Sequence, residues 1–295
     1  MQDPAGRHGR FLIVTADDFG LHPAVNEAVE AAAAAGTLTA ASLMVGAPHA
    51  ADAVRRARAL PGLAVGLHLT LADGQSVLSR RQIPDLVDAQ QRFGDHMAYD
   101  GWRFFAYPGV KRQLAAEIRA QFQAFADTGL PLDHADAHKH FHLHPGILSL
   151  LLAIGREFGL RSVRIPAEPG AYARRARPGF GAGLGGALLS PWVALMRRRV
   201  RAAGLACNDR IFGITDSGGL DEGRLLAILE ALPPGLSEVY LHPGTRSGAA
   251  ITASMAGYRH EAELAALLSP RVRTRLHGGD ITLTSYGAMA ARDAA

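Results

Sequence analysis

Residues 11–20 read FLIVTADDFG, an apolar run that ends in two adjacent carboxylates. The run predicts a buried strand, because large apolar and β-branched side chains follow one another without a helical period. Asp17 and Asp18 stand where this strand should end. Two neighbouring carboxylates repel each other and are costly to bury, so we expect a cation or a proton to compensate them. The stretch therefore predicts both an element of the fold and a functional site.

Short apolar runs and helix-like segments alternate along the 295-residue chain. The predicted strands are residues 11–16, 40–46, 63–70, 132–138, 161–166, 210–215 and 237–243. The predicted helices are residues 23–36, 49–60, 111–129, 145–159, 222–232 and 257–268. Repeated β-then-α units predict a parallel sheet with helices outside it. About seven such units predict one α/β domain over 1–295 that forms a closed or incomplete TIM-type (β/α) barrel rather than an open Rossmann sheet. No glycine-rich nucleotide-binding loop follows a predicted strand, which argues against nucleotide binding.

Two long segments interrupt this alternation, at residues 72–112 and 169–208. Insertions of this length often form lids or binding loops. Aromatic side chains crowd into the first insertion: Phe93, Tyr99, Trp102, Phe104, Phe105 and Tyr107. They could form a rim that stacks on a sugar, or a small hydrophobic core beneath the insertion. The sequence leaves both interpretations open.

Composition restricts the class of protein. The chain is 48% hydrophobic and 20% charged, which is ordinary for a globular protein. A single cysteine, Cys207, cannot form an internal disulfide and fits a reducing compartment. The polar start of the chain does not resemble a signal peptide, so we expect a cytoplasmic protein. The net charge is +4, but most of the basic residues lie among acidic residues along helix-like segments. Mixed charges of this kind usually mark solvent-exposed helix faces, so we expect no nucleic-acid binding.

Four predicted strands carry ionisable side chains at or just beyond their carboxyl ends. These are Asp17 and Asp18, then His68, then Asp136 with His138, and finally His242. In (β/α) barrels this rim carries the active site, because the loops after the strands converge there. A single strand histidine is more often a hydrogen-bonded core residue, and an aspartate pair can serve a turn and a helix cap. The coincidence of four strands favours a site.

One carboxylate and two imidazoles are ligands suited to Zn²⁺, Mn²⁺, Mg²⁺ or Ni²⁺. Three protein ligands leave positions open for water and substrate, which is typical of a catalytic metal. We therefore expect one divalent ion, which would compensate one aspartate of the pair. The other aspartate would stay free to accept a proton.

The run DAHKHFHLHPG, residues 136–146, supplies more histidines than one ion can bind. If His138, His140, His142 and His144 alternate on a strand, each step separates them by about 6.6 Å. Ligand nitrogens about 2.1 Å from one ion must lie much closer together. At most one or two of them can be ligands, and His138 is the nearest to the strand end.

Four blocks together resemble the YdjC-like carbohydrate deacetylases, the family of chitooligosaccharide deacetylase. The blocks are TADDFG (15–20), GLHLTL (66–71), DAHKHFHLHPG (136–146) and LHPG (241–244). The resemblance covers residues 11 to about 245 in family order. The stretch ADGQSV (72–77) and the later arginine-rich segment look closest to the hopanoid-biosynthesis-associated branch, HpnK.

The resemblance implies a distorted (β/α) barrel that uses a divalent metal to hydrolyse the acetamide of an N-acetylated amino sugar. Asp18, His68 and His138 match the metal-binding positions of the family. Asp17 matches the carboxylate expected to act as the base, and His242 the histidine expected opposite it. The branch implies an N-acetylglucosaminyl group linked to a hopanoid lipid as the substrate.

Further side chains are expected to contact the substrate, namely Asp136, His140, Trp102 and Tyr107. Lys139 departs from the family pattern and has no assigned role. Three other functions stay open: deacetylation of soluble chitooligosaccharides, a metal-dependent phosphoesterase, and a non-catalytic sugar- or lipid-binding barrel. A two-metal phosphoesterase usually has more ligands than this chain offers, and a binding barrel would not need both carboxylates.

The second insertion, residues 169–208, contains no acidic residue. Its uncharged stretch 178–196 is flanked by arginines, but its glycines and prolines argue against a transmembrane helix. One interpretation is a glycine-rich loop followed by a basic helix. The other is an element, 174–201, in which Trp192 enters the headgroup region and arginines meet anionic lipid at the inner membrane face. The second would suit a lipid-linked substrate.

Overall fold

Parallel strands form one curled sheet in the computed structural model, which describes residues 9–176, 184–246 and 250–293. The strands are β1 (Arg10–Phe19), β2 (Ala40–Leu43), β3 (Ala64–Leu69), β4 (Leu132–Ala137), β5 (Arg210–Phe212), β6 (Gly235–Leu241) and β7 (Ile281–Leu283). Their order is β4-β3-β2-β1-β6-β5, and β7 also pairs with β1. The predicted α/β fold, a distorted and incomplete barrel, is confirmed.

Helices surround this sheet and connect its strands. They are α1 (Pro23–Ala34), α2 (Ala50–Arg58), α3 (Met97–Ala106), α4 (Pro108–Asp127), α5 (Pro145–Glu157), α6 (Gly170–Ala176), α7 (Leu184–Ala202), α8 (Glu222–Glu230), α9 (His260–Leu268), α10 (Pro270–Leu276) and α11 (Tyr286–Asp293). Short 3₁₀ turns cover His138–Leu143 and Ala253–Met255. No helix in the described ranges combines the length and the apolarity that a membrane crossing requires.

Strand β1 is the centre of the sheet, which explains its continuous apolar run. It pairs with β6 from Arg10↔Gly235 to Ala16↔Leu241 and with β2 near its carboxyl end. Its side chains after Arg10 are buried, as expected for a strand covered on both faces. The strand ends through Asp18, whose φ of 63° lies in the left-handed region. Because of this turn, the side chains of Asp17 and Asp18 point in different directions.

The predicted strand at 161–166 is wrong. The segment makes only isolated bridges, Ala135↔Val163 and Ser162↔Ala206. The side-chain amide of Asn208 takes the place of a neighbouring strand: its oxygen accepts from the Ile165 N–H at 2.7 Å, and its nitrogen donates to the Ile165 carbonyl at 2.9 Å. Between β4 and β5 the barrel wall is therefore made of irregular segments and not of a regular strand.

The insertion 72–112 contains α3 and the start of α4. Its aromatic side chains divide between the two interpretations that the sequence left open. Phe93 and Phe104 are 5% and 3% exposed and belong to the core, whereas Tyr99, Trp102 and Tyr107 are 60%, 54% and 49% exposed. The described side chains thus form both a core and an exposed aromatic face.

The insertion 169–208 contains α6 and α7. Residues 177–183, within the predicted membrane-contacting segment 174–201, lie outside the described residues. Trp192 is partly buried rather than free, and its indole N–H donates to the Leu143 carbonyl at 2.7 Å. Leu189 and Leu195 of α7 are among the exposed large apolar side chains.

Candidate active site

The carboxyl ends of four strands bring the predicted residues together. Asp17 and Asp18 end β1, His68 lies near the end of β3, His138 follows β4, and His242 follows β6. All five side chains are buried. Parallel strands end at the same rim, so residues distant in sequence meet there.

Asp18 lies at the centre of this group. Its Oδ1 is 2.9 Å from His138 Nδ1 and 3.3 Å from His68 Nε2, and its Oδ2 is 3.8 Å from His242 Nε2. These nitrogens do not meet the carboxylate with hydrogen-bond geometry, so both oxygens lack a donor within the described part of the chain. Buried carboxylate oxygens are costly to leave unpaired. A bound cation would satisfy these two oxygens.

Electrostatics keep this carboxylate ionised. Burial alone would raise the pKa of Asp18, but His138, His68 and His242 hold it well below its ordinary value. Burial likewise works against a charged His68, but Asp136 raises the pKa of that imidazole well above its ordinary value. An ionised carboxylate is the form that binds a metal ion.

Donor atoms of Asp18, His68 and His138 all lie within 4.8 Å of one another. Asp17, His68 and Asp136 also meet this distance. The first set fits an ion better, because the carboxylates of the second already hold an arginine. Asp18 has free oxygens for coordination, and its two imidazole neighbours are suitable transition-metal ligands.

That arginine, Arg164, is a residue that sequence reasoning missed. Its guanidinium donates two hydrogen bonds of 2.8 Å to the two oxygens of Asp17. It also binds Glu238 at 2.8 Å and contacts Asp136. Burial would lower the pKa of Arg164, but the three carboxylates raise it well above its ordinary value. An arginine inside the predicted buried run RSVRIP was the available signal, since a buried charge needs partners.

His68 is oriented from behind by Asp136, whose Oδ1 accepts from Nδ1 at 2.8 Å. This bond leaves Nε2 of His68 facing Asp18. A carboxylate behind a ligating imidazole fixes its tautomer and its ring orientation. Asp136 is fully buried in this position.

His242 is held by side chains of the segment before and within α9. Its backbone N–H donates to Glu263 at 2.5 Å, and its carbonyl accepts from His260 Nδ1 at 2.6 Å. Its ring packs on Tyr258 with centroids 5.0 Å apart. Burial lowers the pKa of His242 despite the nearby Asp18. Burial also raises the pKa of Glu263 to about 7.

The histidine run does not continue the strand: His138–Leu143 contain short 3₁₀ turns interrupted by a kink at Lys139 and His140, which both have a left-handed φ of 54°. The histidines therefore diverge, and only His138 faces Asp18. His140 packs on Tyr240 at 5.1 Å, and His142 Nε2 donates to the Arg164 carbonyl at 3.0 Å.

The last histidine and the lysine of this run have structural partners. His144 accepts from the N–H groups of Gly146 and Ile147 and so caps α5. Lys139 Nζ binds Asp73 Oδ2 at 2.9 Å, which joins the turn to the loop after β3.

Two predicted substrate-binding residues, Trp102 and Tyr107, contact each other. Their ring centroids are 5.4 Å apart at 90°. The adjacent Phe104 packs on Phe141 and His144 of the turn that follows His138. The exposed aromatic face of α3 is therefore attached to the segment that carries one of the candidate ligands.

The fold and this cluster define an incomplete (β/α) barrel with a candidate divalent-metal site at its rim. Residues 11–278 match the family described as YdjC-like protein. The chain belongs to the YdjC-like protein family.

Several carbohydrate deacetylases are similar to the chain. The one from Brevibacillus brevis is 37% identical over 52% of this chain, and the match spans 59% of that relative's length. The one from Thermoanaerobacter pseudethanolicus is 24% identical over 94% of this chain and 98% of its own. The one from Mus musculus is 30% identical over 79% and 77%.

A solved structure shares the fold. It is that of an Enterococcus faecalis protein proposed to cleave cellobiose phosphate. The superposition has a TM-score of 0.72 at 23% identity and covers 95% of this chain and 99% of that one. At this level of identity the similarity concerns the fold alone.

Proposed function

We propose that the protein is a metal-dependent carbohydrate N-deacetylase that hydrolyses the acetamide of an N-acetylated amino sugar and releases acetate. The observation that carries this proposal is the pair of buried, donor-free oxygens on Asp18 beside two imidazoles. The names of the similar carbohydrate deacetylases supply the substrate class.

Asp18, His68 and His138 would hold one divalent ion, of the set Mg²⁺, Zn²⁺, Mn²⁺ or Ni²⁺. Such an ion, when bound, makes water more acidic and polarises a carbonyl group. Behind these ligands, Asp136 keeps His68 in the tautomer that offers Nε2 to the site.

Two residues would move protons. The Asp17 carboxylate takes the proton of the attacking water as the water oxygen bonds to the acetyl carbon. Arg164 holds both Asp17 oxygens in place for this step. His242 donates a proton to the amine nitrogen as the C–N bond breaks. Burial lowers the pKa of His242, so its protonated form is a stronger acid than an exposed imidazolium.

We place the sugar between the ligand cluster and the aromatic face of α3, with His140, Trp102 and Tyr107 as contacts. The exposure of Trp102 and Tyr107 leaves their rings free to stack. Asp136 is better suited to orienting His68 than to touching the sugar, because it is fully buried behind that imidazole.

We further propose that the amino sugar is linked to a hopanoid lipid and that the protein works in the cytoplasm against the inner membrane face. Two elements support a membrane-facing surface: Trp192 of α7 and Phe104 of α3 both contact the turn that follows His138. Exposed aromatic and leucine side chains on these helices, with the arginines of α7, suit a lipid interface.

The test of function compares three substrates: an N-acetylglucosaminyl lipid, a soluble chitooligosaccharide and a phosphodiester. We expect chelator-sensitive acetate release from an acetylated sugar and no phosphodiester hydrolysis. Phosphodiester hydrolysis without acetate release would instead favour a phosphoesterase. Equal rates on the two sugars, at equal concentration, would argue against the hopanoid-linked substrate.

The test of membrane contact is co-sedimentation with anionic liposomes at low and high salt. The variant replaces Arg174, Arg175 and Arg198 with glutamine and keeps the arginines of the segment that bind protein oxygens. We expect binding by the wild type at low salt and weaker binding by the variant. Absence of binding at both salt concentrations would refute the contact.

A further inference from the structure

The end of the chain closes the side of the sheet opposite the candidate site. Strand β7 pairs with Arg10–Leu12, the amino end of β1, and the Thr284 N–H donates to the Leu12 carbonyl at 2.9 Å. Tyr286, the first residue of α11, is fully buried in a small apolar cluster with Phe11 and Ile13. This segment lies beyond residues 11–278, which match the family.

One buried chain of hydrogen bonds runs from this segment to the proposed base. The Tyr286 hydroxyl donates to Glu238 at 2.5 Å. Glu238 accepts from Arg164 at 2.8 Å, and Arg164 holds both oxygens of Asp17. Thr15 adds a 2.7 Å bond to Glu238. Each of these side chains is buried.

A second series of hydrogen bonds starts one residue earlier, at the partly buried Ser285. The Ser285 hydroxyl and the Gly287 N–H donate to Asp133 Oδ1 at 2.8 and 2.7 Å. Asp133 Oδ2 is 2.9 Å from His134 Nδ1, and His134 Nε2 is 3.1 Å from the Ser42 hydroxyl. That hydroxyl donates to Asp136 at 3.1 Å, and Asp136 binds Nδ1 of the candidate ligand His68.

The donors and acceptors in this second chain have one consistent assignment. Ionised carboxylates only accept, so the Ser42 hydroxyl must donate to Asp136. His134 must then donate from Nε2 to Ser42 and from Nδ1 to Asp133, which makes it an imidazolium. The pKa of His134 fits this state: burial lowers it, but Asp133 raises it above its ordinary value. Because no hydrogen bond in this series can reverse its direction, the groups at its two ends, Ser285 and His68, are held in one orientation.

Close packing leaves this chain no room to shift. A Cβ on Gly66 would lie 2.4 Å from the His134 ring, and a Cβ on Gly287 would lie 2.7 Å from Asp133 Oδ1. Real Cβ contacts do not occur at such distances, so a side chain at either position would displace the imidazole or its carboxylate. The backbone of β3 and the start of α11 therefore fix the imidazole and its carboxylate from two sides.

We propose that Tyr286 and Ser285 are positioning residues for the active centre at the other end of the barrel. Tyr286 acts through Glu238 and Arg164 on the base, and Ser285 acts through Asp133 and His134 on the ligand His68. The C-terminal segment thus serves the site and does more than cover the core. The inference rests on the proposed function for the role of the base, but its effect on His68 can be measured by metal binding alone.

The test uses two conservative variants of the full chain. Tyr286→Phe keeps the buried ring and removes the hydroxyl, and Ser285→Ala removes one donor to Asp133. Matched controls remove similar groups elsewhere: Tyr172→Phe deletes a tyrosine–carboxylate bond of 2.6 Å to Asp216. Ser269→Ala deletes a serine that caps α10 and binds a glutamate.

The two series of hydrogen bonds, from Tyr286 and from Ser285, predict different results. For Tyr286→Phe we expect kcat on the acetylated sugar to fall about tenfold, with KM and the dissociation constant for Zn²⁺ unchanged. For Ser285→Ala we expect that dissociation constant, measured by calorimetry on the stripped protein, to rise about tenfold. Removal of a group bonded directly to a ligand costs roughly 10–100-fold, and we expect the lower end of this range for these more distant residues. Both controls should match the wild type in kcat and in Zn²⁺ affinity.

An unchanged kcat in Tyr286→Phe would refute the first chain, and an unchanged Zn²⁺ affinity in Ser285→Ala would refute the second. Thermal melting of all four variants separates these effects from stability, because a role in stability alone would lower Tm without the separate change in kcat or in Zn²⁺ affinity. A wild type that binds Zn²⁺ but releases no acetate would refute the proposed function. In that case weaker Zn²⁺ binding by Ser285→Ala would still support the second chain.

Discussion

Removal of the buried guanidinium in Arg164→Met should destabilise the protein strongly, because it leaves buried carboxylates without their cation. Asp17, Asp136 and Glu238 are all buried around this group. Breaking a buried ion pair by removing one partner costs roughly 3–5 kcal/mol. The entropy of unfolding of a chain of 295 residues is roughly 0.6 kcal/mol per degree. We therefore expect Tm to fall by about 5–8 °C.

The loss should depend on pH. In the wild type Arg164, followed by His68, holds the pKa of Asp136 well below its ordinary value despite burial, so the pair stays intact at mildly acidic pH. In the variant, Asp136 has lost its guanidinium partner, so burial raises the pKa of this carboxyl group in the folded state. The folded variant then binds more protons than the unfolded chain, and its stability falls as pH rises. The Tm deficit should be larger at pH 8 than at pH 5.5.

Differential scanning calorimetry of Arg164→Met and wild type at both pH values measures this prediction. Arg119→Met is the matched control, since Arg119 makes a bidentate pair with Glu157 on the exposed surface. Exposed pairs contribute little, so the control should leave Tm unchanged. Equal Tm values for Arg164→Met and Arg119→Met, or a deficit independent of pH, would show that Arg164 does not neutralise buried carboxylates.

Three further results are expected. Asp17→Asn should keep the bound metal and lose turnover, measured by metal analysis and acetate release; loss of the metal would show that the two aspartates do not divide their roles. His242→Ala should slow hydrolysis of an unactivated acetamide more than of an activated amide, and equal losses would refute the general-acid role. His134→Gln should lower Tm most at pH values between the lowered pKa of Asp133 and the raised pKa of His134, because only there are both members of this ion pair charged. A Tm deficit that stays constant from pH 3 to 9 would contradict this expectation.

The sequence predicted those parts of the fold and site that depend on local pattern. The apolar run before Asp17 defined the central strand, and the ends of four such runs marked the rim where His68, His138 and Asp18 meet. In a parallel sheet, residues at the carboxyl ends of their strands lie together at one rim, so the position of a residue within its strand predicts where it lies in the fold. The assignments of roles to these residues stay proposals.

The remaining features depend on contacts between distant residues. Arg164 and Asp17 are 147 positions apart, and nothing local to either one specifies the pair. The side chain of Asn208 binds the backbone of Ile165 where a neighbouring strand would pair, and left-handed backbone at Lys139 and His140 bends the histidine run away from the strand direction.

The C-terminal elements β7 and α11 were not predicted. Strand β7, Ile281–Leu283, has three residues, too few for a period to show. The fold holds it by pairing with the start of β1.

The proposed metal dependence is tested by measuring acetate release from stripped protein as a divalent ion is added back in known equivalents. We expect activity on an N-acetylglucosaminyl substrate to appear with the ion and to reach its plateau at about one equivalent, as one site with three protein ligands requires. Asp18→Asn should show no activity at that plateau. Full activity without added ion in the presence of a chelator, or wild-type activity of Asp18→Asn, would show that hydrolysis does not depend on a metal ion held by Asp18.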